Sequence, residues 1–149
     1  MAVFGVCCEI ANVVQLRSLI ETKSLMNYWW VNIFEQGESW CKNDNKLLRE
    51  RIFCGEELAS TISEVDVIIF MKMQAYRNRN ERKNISTMKG FKRSLCKAVL
   101  LVYDSCYIEL FVKDHVIAHQ MAAVAESVGC NNIQVVTEKT TTRYKLDIR

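Results

Sequence analysis

Apolar residues along this chain recur either at the three-to-four-residue spacing of a helix or at the two-residue spacing of a strand. Four stretches carry the helical spacing: "NVVQLRSLIETKSL", "GEELASTISE", "STMKGFKRSLC" and "DHVIAHQMAAVAESVG". Asn12 and Asp114 stand where N-caps belong, and Gly129 stands where the last helix should end. Ser86 or Thr87 can cap the third helix. That helix should bury one row of side chains: Met88, Phe91 and Leu95.

Strand-forming residues dominate six other stretches: "AVFGVCCEI", "NYWWVNIFEQ", "VDVIIFMKMQAY", "KAVLLVYDSCYIELFVK", "NIQVV" and "RYKLDI". The third is apolar on nearly both faces, which predicts a central position in a covered sheet. The fourth can form two strands that turn at Asp104 and Ser105, or one long bulged strand. We expect a hairpin near each end, one turning at residues 36–38 and one at "TEKTTT". The stretch "LLRERIF" fits either a helix or a strand.

This interleaving predicts the fold class. Strands and helices alternate irregularly, which is typical of an α+β architecture: a mostly antiparallel sheet packed with about three to four helices. The 149 residues fit one domain. We find no internal repeat and no low-complexity linker, so we expect residues 1–149 to form a single α+β domain.

Composition and cysteine usage bear on the compartment. The N-terminus has no cationic segment before its apolar residues, so we expect no signal peptide. The longest apolar runs are far below the roughly 18–20 residues that cross a bilayer, so we expect no membrane contact. Seven cysteines are an odd number without a C-x-x-C pair, which favours reduced thiols acting as small hydrophobic residues. Cys106, for example, alternates with apolar neighbours as a core thiol would. We therefore predict a cytoplasmic protein.

Charge is unevenly distributed although the net charge is only +3. Residues 72–97, which we call the basic segment, hold nine cations and one anion, whereas the remaining residues have a negative balance. A solvated loop is one interpretation of this segment. The other is a docking site for an acidic protein or a nucleic-acid backbone. The candidate binding residues are Arg77, Arg79, Arg82, Lys83, Lys89, Lys92 and Arg93.

Candidate chemistry is sparse. His115 and His119 have the spacing of a helical zinc pair, but no third ligand lies within reach on that helix, so we assign no metal. No glycine-rich phosphate loop is present, and we assign no cofactor and no catalytic residue. The leading hypothesis is a non-enzymatic binding or regulatory protein that acts through surface contacts. The alternative is a small enzyme in which Asp104, Cys106 and a histidine meet only in the fold. The sequence does not reveal the oligomeric state.

Several segments together resemble an uncharacterised bacterial family, domain of unknown function 2691. They are "GVCCEIAN", "NYWW", "VIIFMKMQAY", "VLLVYDSCYIELFVKD" and "GCNNIQVVTEKTTTRYKL". The resemblance spans nearly the full chain and implies a small protein of spore-forming Gram-positive bacteria. Ala11 departs from the proline expected of that family, and the loop after Ala75 is more cationic than expected. The resemblance implies no activity and carries over no catalytic residue.

Overall fold

Eight strands form one antiparallel sheet in the computed structural model, which describes residues 2–42, 45–141, 143 and 145–148. The strands are β1 (Phe4–Glu9), β2 (Trp29–Asn32), β3 (Glu38–Trp40), β4 (Ile52–Cys54), β5 (Val67–Tyr76), β6 (Ala98–Tyr103), β7 (Tyr107–Val112) and β8 (Asn131–Thr137). Their order is β4-β2-β5-β6-β7-β1-β8, with β3 also paired to β5. The predicted α+β class and the central position of β5 are confirmed.

Five α-helices lie among the described residues: α1 (Val13–Ile20), α2 (Lys23–Met26), α3 (Gly55–Ser63), α4 (Met88–Arg93) and α5 (His115–Ser127). Local sequence signals define their ends. The side chains of Asn12, Thr87 and Asp114 each accept a hydrogen bond from a backbone N–H in the first turn. Gly129 ends α5 with a φ of +82°, the left-handed region that glycine enters without strain.

The two faces of the sheet are covered differently. The helices α1, α3 and α5 pack on one face around a large apolar cluster that includes Leu16, Trp30 and Met121. The short helix α4 and the described residues of 143–148 lie on the other face, where Phe91 and Leu146 are fully buried in a smaller cluster. The basic segment crosses this second face, so packing in the smaller cluster determines where the segment lies.

The hairpin predicted at residues 36–38 is wrong, and the one predicted at "TEKTTT" falls partly outside the described residues. Strands β2 and β3 both pair antiparallel with β5, so they run in the same direction and cannot form a hairpin. A 3₁₀ turn at Phe34–Gln36 carries the chain along β5 instead of reversing it. After β8, the described residues of 143–148 form one bridge, from Lys145 to Thr87, and Thr142 and Tyr144 of the predicted turn and strand lie outside the described residues.

Two side-chain predictions also need correction. Leu95 is 70% exposed because α4 ends at Arg93, and Ser94 already has an extended backbone. Cys106 is half-buried and lies in the turn before β7, so it is not a core thiol. The stretch around this turn forms two paired strands and not one long bulged strand. Asp104 and Ser105 of the turn both have positive φ (52° and 66°).

Candidate functional site

The basic segment leaves the sheet at the end of β5 and returns to it at β6. Residues 77–86 form neither helix nor strand, and α4 follows them directly. The loop is attached to the chain's last residues, because the backbone N–H of Leu146 donates to the Ser86 carbonyl (2.8 Å). The loop is therefore fixed at its far end as well as where it leaves β5.

Two buried polar side chains of β5 hold the loop backbone in place. Lys72 and Gln74 alternate on the face of β5 that the loop covers, and both are fully buried. The amide of Gln74 accepts from the Ile85 N–H (2.7 Å) and donates to the Lys83 carbonyl (3.1 Å). The Lys72 ammonium group donates to the Ile85 carbonyl (2.5 Å). These bonds give a loop without regular structure a defined backbone, since buried polar groups left without partners are costly.

The carboxylate of Asp147 joins three separate parts of the chain. Its Oδ1 atom accepts from Lys72 Nζ (3.0 Å), from Gln36 Nε2 (2.8 Å) and from Asn84 Nδ2 (2.8 Å). Partial burial raises the pKa of this carboxyl, but the hydrogen bonds from Asn84, Gln36 and Lys72 outweigh it and lower the pKa to about 2. Burial lowers the pKa of Lys72, against the effect of Asp147. A short sequence window could not reveal this contact, because Asp147 lies 75 residues from Lys72.

Most of the predicted binding cations reach solvent. The exposed members are Arg77, Arg79, Lys83, Lys89 and Arg93. One of them has a defined support, because the guanidinium of Arg79 lies over the ring of Trp29 at 5.6 Å from its centroid. The loop and α4 cover the same face of the sheet, so these cations belong to one side of the molecule.

Two cations of the basic segment are already paired within the chain. Lys92 forms an ion pair with Glu138 (2.8 Å), and Lys72 is paired with Asp147. Hydrogen bonding to Lys92 also lowers the pKa of Glu138. The positive charge available to a partner is consequently smaller than the charge counted along the sequence.

Arg82 differs from the other loop cations because it is half-buried. Its guanidinium lies over the ring of Tyr76, 5.4 Å from the centroid. Its Nε atom is inaccessible to solvent and has no hydrogen-bond acceptor. Burial raises the pKa of Tyr76, so that phenol stays protonated at neutral pH.

A cavity of about 600 Å³ lies beside Arg82. The loop contributes residues 81–84 to its wall, the 3₁₀ turn and the residue before it contribute the opposite wall, and Arg51 completes the lining. Arg51 is bound to Glu35 (3.1 Å) and lies over the Phe34 ring. A smaller hollow of about 230 Å³ also includes Arg82 and Lys83, together with Tyr76 and Leu95.

The groups proposed for the alternative enzyme lie at opposite ends of β7. Cys106 precedes this six-residue strand and His115 follows it, a separation of about 20 Å along the strand. His115 and His119 are both exposed on α5, with ring centroids 6.3 Å apart. This arrangement does not place either imidazole beside the Cys106 thiol.

A second polar cluster lies near the other edge of the same face. Tyr103 donates to Glu109 (3.0 Å), Arg143 forms an ion pair with Glu109, and a hollow of about 190 Å³ beside them includes Cys7. Burial raises the pKa of Tyr103 to about 12 and that of Cys7 to about 11. Burial likewise raises the pKa of Cys96 to about 11. A thiol needs its thiolate form to act as a nucleophile, so burial disfavours nucleophilic chemistry at Cys7 and Cys96 at neutral pH.

Across the part of the chain that the structure describes, no three His, Cys, Asp or Glu side chains converge in a way that could hold a metal ion. Among those same residues, no helix combines the length and apolar character needed to cross a bilayer.

Comparisons with known proteins give a family without a function. The model of the family described as "Protein of unknown function (DUF2691)" matches residues 4–147. The chain is also similar to "Uncharacterized protein YncE" of Bacillus subtilis (strain 168), with 23% identity over 140 residues. That alignment covers 89% of this chain and 90% of the relative. No solved structure matches.

Proposed function

Because this chain belongs to the DUF2691 family of proteins of unknown function, we propose a function from its own geometry. We propose a non-enzymatic binding protein of the cytosol that docks an acidic partner on its basic segment. The cysteines support the compartment, since Cys8, Cys96 and Cys130 are buried and thus suited to a reducing environment. The separation of Cys106 from His115 supports a role without covalent chemistry.

The observation that carries the proposal is the way the loop is held. Lys72 and Gln74 fix the loop backbone from below, so the cations above it do not have to be ordered when a partner binds. Ordering flexible side chains and loops costs binding free energy, and a loop fixed in advance reduces that cost.

An exposed leucine favours an acidic protein over a nucleic-acid backbone as the partner. Leu95 is 70% exposed and lies two residues beyond the end of α4, the helix that carries Lys89 and Arg93. Protein interfaces combine an apolar centre with a charged rim. A phosphate backbone offers no comparable contact for a leucine side chain.

The test uses three fluorescein-labelled probes: a peptide of mixed Glu and Leu, a peptide of Glu alone, and a random duplex DNA. We expect the Glu-Leu peptide to bind most tightly, with an affinity that falls as salt rises. A variant that combines R77A, R79A, K89A and R93A should weaken this binding at least tenfold. Leu95→Ser should remove the preference for the Glu-Leu peptide over the Glu peptide.

The control variant removes four exposed cations outside the basic segment, by K23A, K42A, K46A and K139A. If the control loses as much binding as the docking variant, net charge alone drives the interaction and the proposal is wrong. If DNA binds most tightly, with a log–log salt slope of about −3 to −4 for four phosphate contacts, the partner is a nucleic acid and not a protein.

A further inference from the structure

We propose that the cavity beside Arg82 binds a small organic molecule through a single anionic group, a carboxylate or a phosphate. This site shares Arg82 and Lys83 with the basic segment, but the four cations removed in the docking variant (Arg77, Arg79, Lys89 and Arg93) do not line it. Its volume of about 600 Å³ lies within the range of about 300–1,000 Å³ that is usual for ligand pockets.

The first argument is the position of Arg82, whose half-buried side chain lines the cavity. Its guanidinium carbon lies 5.4 Å from the centroid of the Tyr76 ring, a cation–π contact that holds the side chain at the cavity before a ligand arrives. A carboxylate or phosphate oxygen is the acceptor that a guanidinium binds most strongly.

The second argument is that several other polar groups of the cavity wall are already engaged. The amides of Gln36 and Asn84 both donate to Asp147 Oδ1. Arg51 is paired with Glu35. These bonds stiffen the wall, and the ion pair engages the Glu35 carboxylate with a cation other than Arg82.

The charges that remain define the class of ligand. Arg82 and Lys83 supply two cations to the wall, and Glu81 supplies one carboxylate. The balance of one positive charge matches a ligand with one anionic group better than a polyanion, which Glu81 would repel. Ile33 adds an apolar contact for the body of the ligand. An ordinary metabolite-sized acid or phosphate monoester fits this description.

The experiment measures binding of matched pairs by titration calorimetry: benzoate against benzamide, and phenyl phosphate against phenol. Inorganic phosphate is a fifth probe. We expect at least one organic anion to bind with a Kd below about 1 mM and its neutral partner to bind at least tenfold more weakly. The two arms distinguish a carboxylate site from a phosphate site. Failure of all three anions to bind below about 10 mM would overturn the proposal.

Arg79 provides a matched control for Arg82. Both arginines lie on the loop and cover an aromatic ring, but only Arg82 lines the cavity. Arg82→Gln should weaken binding of the anion by about 10- to 100-fold, the effect of losing a charged hydrogen bond. Arg79→Gln should change it less than twofold. Equal losses in the two variants would show a nonspecific charge effect and sink the idea.

A second measurement uses the wild-type protein, so its result does not depend on whether a variant folds. In the wild-type protein, the Arg82 Nε–H resonance should shift in the nitrogen-proton spectrum when the anion is added, because the guanidinium then binds a charged group. It should not move when the neutral partner is added. An unchanged Arg82 resonance in the presence of a bound anion would place that anion elsewhere. The peptide-docking variant should keep this response, which separates the cavity from the proposed docking function.

Discussion

The ammonium group of Lys72 lies at a fully buried position in the strand at the centre of the sheet. Burial of a charge is unfavourable unless hydrogen bonds and an opposite charge compensate. The Ile85 carbonyl and the Asp147 carboxylate supply this compensation. The three groups connect the middle of the sheet, the basic loop and the end of the chain. Together with Gln74, this side chain holds the loop in a fixed position.

This arrangement predicts an asymmetry between the two partners. Asp147→Ala should reduce the free energy of unfolding by about 2–3 kcal/mol, because it leaves a buried ammonium group without its counter-ion. Lys72→Met should cost less, since Asp147 is partly exposed and keeps two amide donors. The double variant should be no less stable than Asp147→Ala alone. Urea denaturation followed by circular dichroism measures all three, and additive losses would refute the coupling.

The pKa of Asp147 also predicts a pH dependence. Its folded-state pKa is about 2, below the ordinary value of 3.8. The ionised carboxylate therefore contributes stability above about pH 4, and this contribution is lost as pH falls from 3.8 towards 2. We expect wild type to exceed Asp147→Asn in stability at pH 5 and the difference to shrink towards pH 2. Urea midpoints across this range test it. A difference that stays constant across this range would mean that the neighbouring groups do not lower the pKa of the Asp147 carboxyl.

At the scale of elements, the β6–β7 turn has three residues, and the first two of them lie in an unfavourable backbone region. Asp104 and Ser105 both have left-handed backbone angles, which non-glycine residues adopt at a cost of about 1–2 kcal/mol each. Glycine enters this backbone region freely, and asparagine is among the residues that tolerate it best. Replacing the pair with Asn-Gly should therefore raise the free energy of unfolding by about 1 kcal/mol.

The matched control for this turn is Gly129, which has a φ of +82° at the end of α5. Gly129→Ala should destabilise the protein by about 1 kcal/mol, since it places a Cβ in the same backbone region. Thermal melting measures both changes. If the Asn-Gly variant melts no higher than wild type, the turn does not have the geometry described here.

Local signals predicted the elements well, whereas pairing between distant segments was not predictable. The caps at Asn12 and Asp114 and the end at Gly129 depend on neighbours within a few residues. The direction of β3 depends on β5, which is about 30 residues away in sequence, and no turn residue encodes it. Proline, a useful marker of loops, is absent from the sequence.

The features of the candidate site were likewise predictable only in part. The exposed cations could be recognised from the charge of the segment alone, because a loop after a buried strand reaches solvent. The half-buried state of Arg82 and the cavity beside it could not, since they depend on Tyr76, Gln36 and Arg51 from three other parts of the chain. The alternation of Lys72 and Gln74 within an apolar strand was a readable signal of a buried polar contact on one face.

At the scale of the whole molecule, both apolar clusters share the central strands of one sheet. The larger cluster includes Met73 and Leu100, and the smaller includes Tyr76 and Leu101, which lie on the same two strands, β5 and β6. Removing either cluster would expose one face of both strands. The two clusters should therefore unfold together, and we propose that residues 1–149 form one cooperative domain.

The positions of the tryptophans allow this proposal to be tested. Trp29, Trp30 and Trp40 all lie on β2 and β3, towards one edge of the sheet, so their fluorescence reports that region. Far-ultraviolet circular dichroism reports every helix and strand. In urea, with chelator and reductant present, the two signals should give the same midpoint, because the core alone suffices at this chain length. Separate midpoints would show two units that unfold independently. In a separate thermal melt, a melting temperature more than about 10 °C lower with chelator or reductant than without it would show that metal or disulfides stabilise the fold.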